Sequence, residues 1–131
     1  MDSVFTKIIN KEYSCHLVAE DQFNIAFMDI RPIKKGHVLV VPKKQVNYLF
    51  DLNNEEYQSL WSFVRIVAKA LKKSINCNRI GVSVIGFEVP HAHVHLVPIN
   101  SIEDMNFSKS FYSNEIELSK LSRDISKKII Y

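Results

Sequence analysis

The chain has 131 residues, 47% of them hydrophobic and 24% charged, ordinary usage for one globular domain over residues 1–131 and unlike a disordered or fibrous chain. Seventeen basic against 14 acidic residues leave a formal charge of +3. Apart from the pairs Lys34/Lys35, Lys43/Lys44 and Lys72/Lys73 the lysines are dispersed, which predicts a solvated surface rather than a nucleic-acid interface. Cys15 and Cys77 fit no zinc or redox spacing and read as free thiols in a reducing compartment. No run approaches the ~20 apolar residues of a membrane span, so a cytoplasmic protein with neither membrane nor nucleic-acid partners is expected.

In chain order, Phe5, Ile8 and Ile9 fall at helical spacing, enough for a short amphipathic helix over residues 2–10 that packs on something larger. Extended segments over 15–20 and 24–30 flank the polar Asp21 and Gln22 and read as a hairpin, with Phe27 and Asp29 on one strand face. Pro32 and Gly36 break regular structure. A strand from His37 to Val41, with His37, Leu39 and Val41 on one side, then runs up to Pro42. After a connector over 43–52, Asn53 followed three residues later by Glu56 makes a capping-box pattern. Tyr57, Leu60, Trp61, Val64, Val67, Ala68 and Leu71 fit the spacing of one helix face, which predicts a helix of about 20 residues ending at Ser74, its aromatic stripe facing the core. Residues 80–85 read as a strand, 86–90 as a tight turn and 91–97 as the returning strand. A polar loop over 101–111 precedes a C-terminal helix over about 114–130, marked by Leu118, Leu121, Ile125 and Ile129. Adjacent hairpins with one long helix predict an α+β fold: an antiparallel sheet of about five strands, with one long and one or two shorter helices covering one side. The other face is left for a ligand, a dimer contact, or both.

The stretch Pro90-His91-Ala92-His93-Val94-His95-Leu96-Val97-Pro98 holds three of the five histidines. In an extended strand, residues two apart share a face about 6 to 7 Å from each other. His91, His93 and His95 then form one row of imidazoles while Ala92, Val94 and Leu96 face the core. Packing alone explains such a row poorly, because three buried imidazoles all need polar partners. Metal binding, as in a cupin-type β-domain, would use His91 and His93 with a more distant ligand. His95 is then left over, ~13 Å from His91 along a strand. Covalent catalysis employs all three: a neutral imidazole attacks phosphorus while its neighbours orient it, hold phosphate oxygens and supply the leaving-group proton. An ordinary pKa near 6.5 suits histidine to each task near neutral pH.

The run His91 to Val97 resembles the signature of the histidine triad superfamily, nucleotide hydrolases and transferases that act at the α-phosphate. Two further blocks resemble that family in order and spacing: Phe5-Thr6-Lys7-Ile8-Ile9-Asn10 with Glu20-Asp21 downstream, and Asp29-Ile30-Arg31-Pro32 through Gly36-His37 to Pro42-Lys43. The resemblance spans about residues 3–110 and points to the small monophosphoramidase-like branch. It implies that His93 is the nucleophile, forming a nucleotidyl-phosphohistidine, that His95 lies on the phosphate and leaving-group side, that His91 fixes the nucleophile's tautomer, and that His37 completes the polar network. It further implies that Asp29 accepts hydrogen bonds from the ribose hydroxyls, as a carboxylate facing a vicinal diol can. Phe5, Ile8, Phe27, Ile30 and Leu39 would line the base cleft, and a homodimer is expected.

Many family members carry a cysteine pair and a histidine that bind zinc together with the first triad histidine; Ser3, Thr6 and Gln45 stand at those positions here. No structural zinc and no required cofactor are therefore expected, a divalent cation entering only alongside polyphosphate substrates. Val84-Ile85-Gly86-Phe87-Glu88-Val89-Pro90 lacks the asparagine and Gly-Gln segment that contact phosphate in many members and puts the carboxylate of Glu88 in that neighbourhood. The favoured expectation is a hydrolase or nucleotidyl transferase acting on a purine nucleoside phosphoramidate or a related nucleoside monophosphate derivative. A dinucleoside polyphosphate hydrolase and a nucleotide-binding module with little turnover are the alternatives.

Overall fold

Short runs rich in apolar residues form five strands in the computed structural model, which covers residues 1–131: β1 (Leu17–Glu20), β2 (Asn24–Met28), β3 (Val38–Pro42), β4 (Arg79–Ser83) and β5 (Val94–Ile99). They make one antiparallel sheet in the order β1-β2-β3-β5-β4. Helix α1 spans Val4–Ile9, α2 Asn54–Ser74 and α3 Glu115–Ser126. This is the expected α+β architecture, with β5 inserted between β3 and β4 once α2 has carried the chain across the sheet.

Opposed residues in antiparallel strands share a face, so the register sorts the side chains. Phe27 pairs with Leu39 and Ile25 with Val41, and Leu39 pairs with His95. That face holds a small cluster of Phe5, Ile25, Phe27, Leu39 and Val41, with Ile8 and Val89 packed against it. The alternate residues Ala26, Met28, Val38, Val40, Val94 and Leu96 face the other way and join the main core beneath α2 and α3. Asn53 and Glu56 make the capping box that starts α2. Its buried face is Leu60, Phe63, Val64, Val67, Ala70 and Leu71, while Tyr57, Trp61 and Ala68 lie half-buried at the margin. The core stripe thus sits slightly around the helix from the expected one and gains Phe63. α3 ends before the expected residue 130, although Ile129 still packs on the core.

Three local expectations are corrected. The histidine strand begins at Val94, not His91. Val40 pairs with Val94, so continuing the ladder would set Ala92 against Pro42, which has no N–H to give; the Ala92 N–H turns to the Val46 carbonyl instead, at 2.7 Å. Ala92 still enters the main core, so the alternation of faces survives the end of the strand. The expected tight turn over 86–90 is an irregular connection over 84–93 between the ends of β4 and β5. The polar stretch 101–111 contains two 3-10 turns, Ile102–Met105 and Phe107–Lys109.

The β2–β3 connection positions two candidate site residues just outside their strands. Asp29 follows β2 and His37 precedes β3, and the Asp29 N–H donates to the His37 carbonyl at 3.0 Å. Gly36 has φ +91°, and a Cβ there would come within 3.1 Å of both Ile75 and Pro98. Glycine is therefore required on both conformational and steric grounds for the chain to turn into His37.

Candidate active site

His91 and His93 precede β5, His95 lies on it, and His37 arrives from the neighbouring turn; all four rings meet on the face that α2 and α3 leave open. Their exposures are 1% for His37, 0% for His91, 4% for His93 and 7% for His95. At such burial each ring nitrogen needs a partner or a purpose. The backbone N–H of Ile33 donates to His37 Nδ1 at 3.1 Å, which places the ring proton on Nε2. That N–H faces His95 Nδ1 at 3.0 Å, with Asp29 Oδ2 at 3.5 Å. His95 therefore accepts at Nδ1 and carries its proton on Nε2. Desolvation lowers the pKa of His37 to about 4, assisted by His93. Desolvation lowers His95 to about 4 as well, assisted by His37 and His93 and opposed by Asp29. Both rings are neutral at pH 7.

The other two rings are set by carbonyls, which can only accept. His91 donates from Nε2 to the Pro42 carbonyl at 2.7 Å, leaving Nδ1 to take the Ser3 hydroxyl proton at 2.7 Å. Burial lowers its pKa, against the opposing pull of the Pro42 carbonyl. His93 lies within 2.7 Å of the His91 carbonyl through Nδ1. With a proton held on Nδ1 by that carbonyl, Nε2 is the ring atom left to present a lone pair. Trp61 Nε1 is the one buried side-chain nitrogen or oxygen without a partner, so the unpartnered Nε2 atoms of His93 and His95 are both open to solvent. The cluster thus offers an unprotonated nitrogen on one ring beside an N–H on the next, with ring centroids 5.0 Å apart.

Phe5 stands edge-on to His93 at 5.0 Å and to Phe27 at 5.5 Å, joining the apolar cluster of Phe27, Leu39 and Ile8 to the histidines. Asp29 accepts from the Arg31 N–H at 2.9 Å through Oδ1, which fixes its carboxylate beside His37. Ile30 follows it and is 58% exposed. Glu88 is exposed on the 84–93 connection and makes neither a hydrogen bond nor an ion pair with a side chain of the cluster.

Two features escaped sequence reasoning. Phe107, in a segment with no usable periodicity, packs edge-on against His95 at 4.8 Å and His37 at 6.2 Å. Val89 joins the cluster around Phe5. Two groups of side chains bear on metal binding. Asp29, His37 and His95 present three ligand atoms within 4.8 Å of one another, but the two rings already spend their facing nitrogens on each other. Ser3, Thr6, Gln45 and His91 do come together: Gln45 Oε1 accepts from the Ser3 N–H at 2.8 Å and from the Thr6 hydroxyl at 2.6 Å. Two hydroxyls, an amide and an imidazole with both nitrogens engaged do not suit zinc, which favours thiolate, free imidazole and carboxylate.

Both the sequence and the fold have known relatives. The HIT domain family profile matches residues 10–102. An uncharacterized HIT-like protein of Borreliella burgdorferi is 32% identical over 137 residues, spanning 98% of this chain and 99% of that one. The adenosine 5'-monophosphoramidase of Schizosaccharomyces pombe is 30% identical over 133 residues, again spanning 98% of this chain and 99% of that one. A crystal structure of a Hit-like protein from Bartonella henselae, involved in cell-cycle regulation, superposes with a TM-score of 0.87 at 30% identity, covering 98% of this chain and 96% of that chain.

Proposed function

Because the chain belongs to the histidine triad (HIT) family and is a hydrolase of that family, we propose that it cleaves a purine nucleoside phosphoramidate, or a related nucleoside monophosphate derivative, at the α-phosphate through a nucleotidyl-histidine on His93. One observation carries this reading: the hydrogen bond from His93 Nδ1 to the His91 carbonyl leaves the Nε2 lone pair facing solvent, beside the Nε2–H of His95.

In the first step the His93 Nε2 lone pair forms a bond to phosphorus. The bond to the leaving group breaks with its electron pair on the departing atom, which is protonated as it leaves. The positive charge gained by His93 rests on Nδ1–H against the His91 carbonyl, and His95 Nε2–H donates to the phosphoryl oxygens and the departing atom. In the second step water attacks the phosphohistidine. An O–P bond forms, a proton is released, and the P–N pair returns to His93 with loss of a nucleoside monophosphate. Holding the imidazole in place beforehand removes an entropic cost from each turnover.

Asp29 takes the ribose hydroxyls, since Arg31 and His37 fix its carboxylate while lone pairs remain for a diol. The base lies against Phe5, Ile8, Phe27, Leu39 and the exposed Ile30. Glu88, exposed on the 84–93 connection, would meet the phosphate path from outside the histidine cluster. No step needs a metal. The working form is a cytoplasmic homodimer, supported by the sheet edge at β4, where Val82 is 49% exposed; a light-scattering mass of one chain would remove the dimer from this reading.

The test is turnover of an adenosine monophosphate ester of a fluorogenic amine by the wild type and His93→Ala, each with and without chelator. Activity that survives chelator and disappears in His93→Ala is the expected result. Turnover of a dinucleoside polyphosphate in preference to the phosphoramidate would change the substrate class, and tight monophosphate binding without any turnover would make the protein a binding module.

A further inference from the structure

We infer that Ser3 and Gln45 are positioning residues for His93, acting through His91. The inference rests on the hydrolase reading above and adds residues that the reaction itself does not touch.

His91 is fully buried and has no face toward the open site. Its backbone carbonyl is the group that fixes the His93 tautomer, and its side chain is held from both ends. Nε2 is tied to the Pro42 carbonyl at the end of β3, and Nδ1 to the Ser3 hydroxyl at the start of α1. Ser3 can serve that role in only one way. Its hydroxyl oxygen accepts from the Thr6 N–H at 3.0 Å as the cap of α1, and its single proton goes to His91. The backbone of Ser3 is pinned in turn, since its N–H donates to Gln45 Oε1 at 2.8 Å. Gln45 is oriented by the Thr6 hydroxyl at the same oxygen, and its Nε2 donates to the Met1 carbonyl at 2.9 Å.

Donors and acceptors match throughout this chain of contacts. Gln45 sets the position of Ser3, Ser3 fixes the tautomer and ring of His91, and the His91 carbonyl fixes Nδ1–H on His93. The consequence is that Nε2 of His93 is left with its lone pair toward substrate. The same serine caps the helix that carries Phe5, whose ring lies 5.0 Å from His93, so one contact registers the base cleft against the nucleophile. Hydrogen bonds here do the work of locking the N-terminal helix to the triad, with a donor set that zinc would not choose.

Removing the Ser3 hydroxyl leaves His91 Nδ1 facing only the Thr6 hydroxyl, which lies farther off at 3.4 Å and already donates to Gln45 at 2.6 Å. His91, still tied at Nε2 to the Pro42 carbonyl, then shifts, and the carbonyl that orients His93 moves with it. Small misplacements of a reacting group lower rates by up to about 100-fold, so Ser3→Ala is expected to reduce kcat about 10- to 100-fold. KM should change less than kcat, because the ribose contact at Asp29 stays although the helix carrying Phe5 loses its cap. Ser3→Thr, which keeps a hydroxyl, should recover most of the rate, and Gln45→Ala should give a smaller loss of the same kind.

The experiment measures kcat and KM of the full chain for the wild type, Ser3→Ala, Ser3→Thr and Gln45→Ala. Alongside, nitrogen-15 NMR of the histidine side chains reads tautomers without any need for turnover. The expected result is a fall in kcat larger than any change in KM in Ser3→Ala, recovery in Ser3→Thr, and a His93 ring that changes from the Nδ1–H form to a tautomer mixture in Ser3→Ala. Wild-type kcat and an unchanged His93 ring in folded Ser3→Ala would overturn the inference. So would a loss of activity matched only by a loss of folded protein. An inactive wild type would count against the hydrolase reading, while the tautomer comparison would still decide whether Ser3 orients His93.

Discussion

The two faces of the sheet are made by the same strands and built to different ends. On the covered face, Val94 and Leu96 of β5 enter a cluster of 20 buried residues packed beneath α2 and α3. On the other, His95 and the two histidines before the strand stand beside a cluster of only 5, covered by the six-residue α1. Along one strand, alternate residues therefore enter the main core and a hydrogen-bonded histidine cluster. The difference teaches where each kind of substitution should act: apolar volume is the currency beneath the helices, and hydrogen-bond direction decides behaviour on the open face. Buried imidazoles could not be accommodated on the first face without polar partners, whereas on the second each nitrogen is either paired or open to solvent.

The sharpest way to break this comparison is His93→Ala. It should lower kcat/KM by on the order of 10³-fold or more, as removal of a covalent nucleophile does, while the unfolding free energy shifts by only about 1 kcal/mol. Comparable losses of stability and rate would mean that the two faces are not separable. The mirror substitution is Leu60→Ala, at a fully buried position of α2. A loss of about 2–5 kcal/mol in denaturant unfolding is expected, with kcat per folded molecule unchanged.

Acidity tests the open face as a contributor to stability. His37 and His95 bind protons in the folded protein only near pH 4, but the unfolded chain binds them near pH 6.5. Between those values the unfolded state holds more protons, so stability is fully present above about pH 6.5 and is lost as pH falls toward about 4. Urea midpoints at pH 7.5 and pH 5 should differ by on the order of a few kcal/mol in unfolding free energy, and His95→Gln should reduce that difference. A flat profile over this range would show that the two rings are not held neutral by burial. The smallest expected effect belongs to Asp29→Asn, which keeps the shape and removes the charge. KM should rise about tenfold as charge-assisted hydrogen bonds to the ribose weaken, with kcat nearly constant; a ribose-free substrate analogue equally affected by the substitution would argue against that role.

Much of the architecture could be read from local pattern. The short apolar runs over 24–28 and 38–42, the capping box at Asn53 and the apolar stripe of α2 are all local signals, and the elements form where those signals lie. The histidine row was legible as a division of faces, and Ala92, Val94 and Leu96 do turn to the core. Its start as a strand was not, because the ladder depends on what lies opposite, and Pro42 is what lies opposite Ala92. The ring tautomers were also out of reach, since they are set by the Ile33 N–H, the Pro42 carbonyl and the Ser3 hydroxyl, all brought from other parts of the chain. Phe107 was hidden for a related reason. It sits in a single 3-10 turn, too short to carry a period, and only the fold brings it to His95.

The central claim is a covalent bond between the α-phosphate and His93. It is tested most directly by rapid quenching of the wild-type protein with a nucleoside phosphoramidate labelled at the α-phosphorus, followed by alkaline digestion, in which phosphohistidine survives, and mass mapping of the label. The predicted result is a transient nucleotidyl adduct on His93 that forms and decays at rates consistent with turnover. Product formation with no label on protein at any time, or label on another residue, would contradict it.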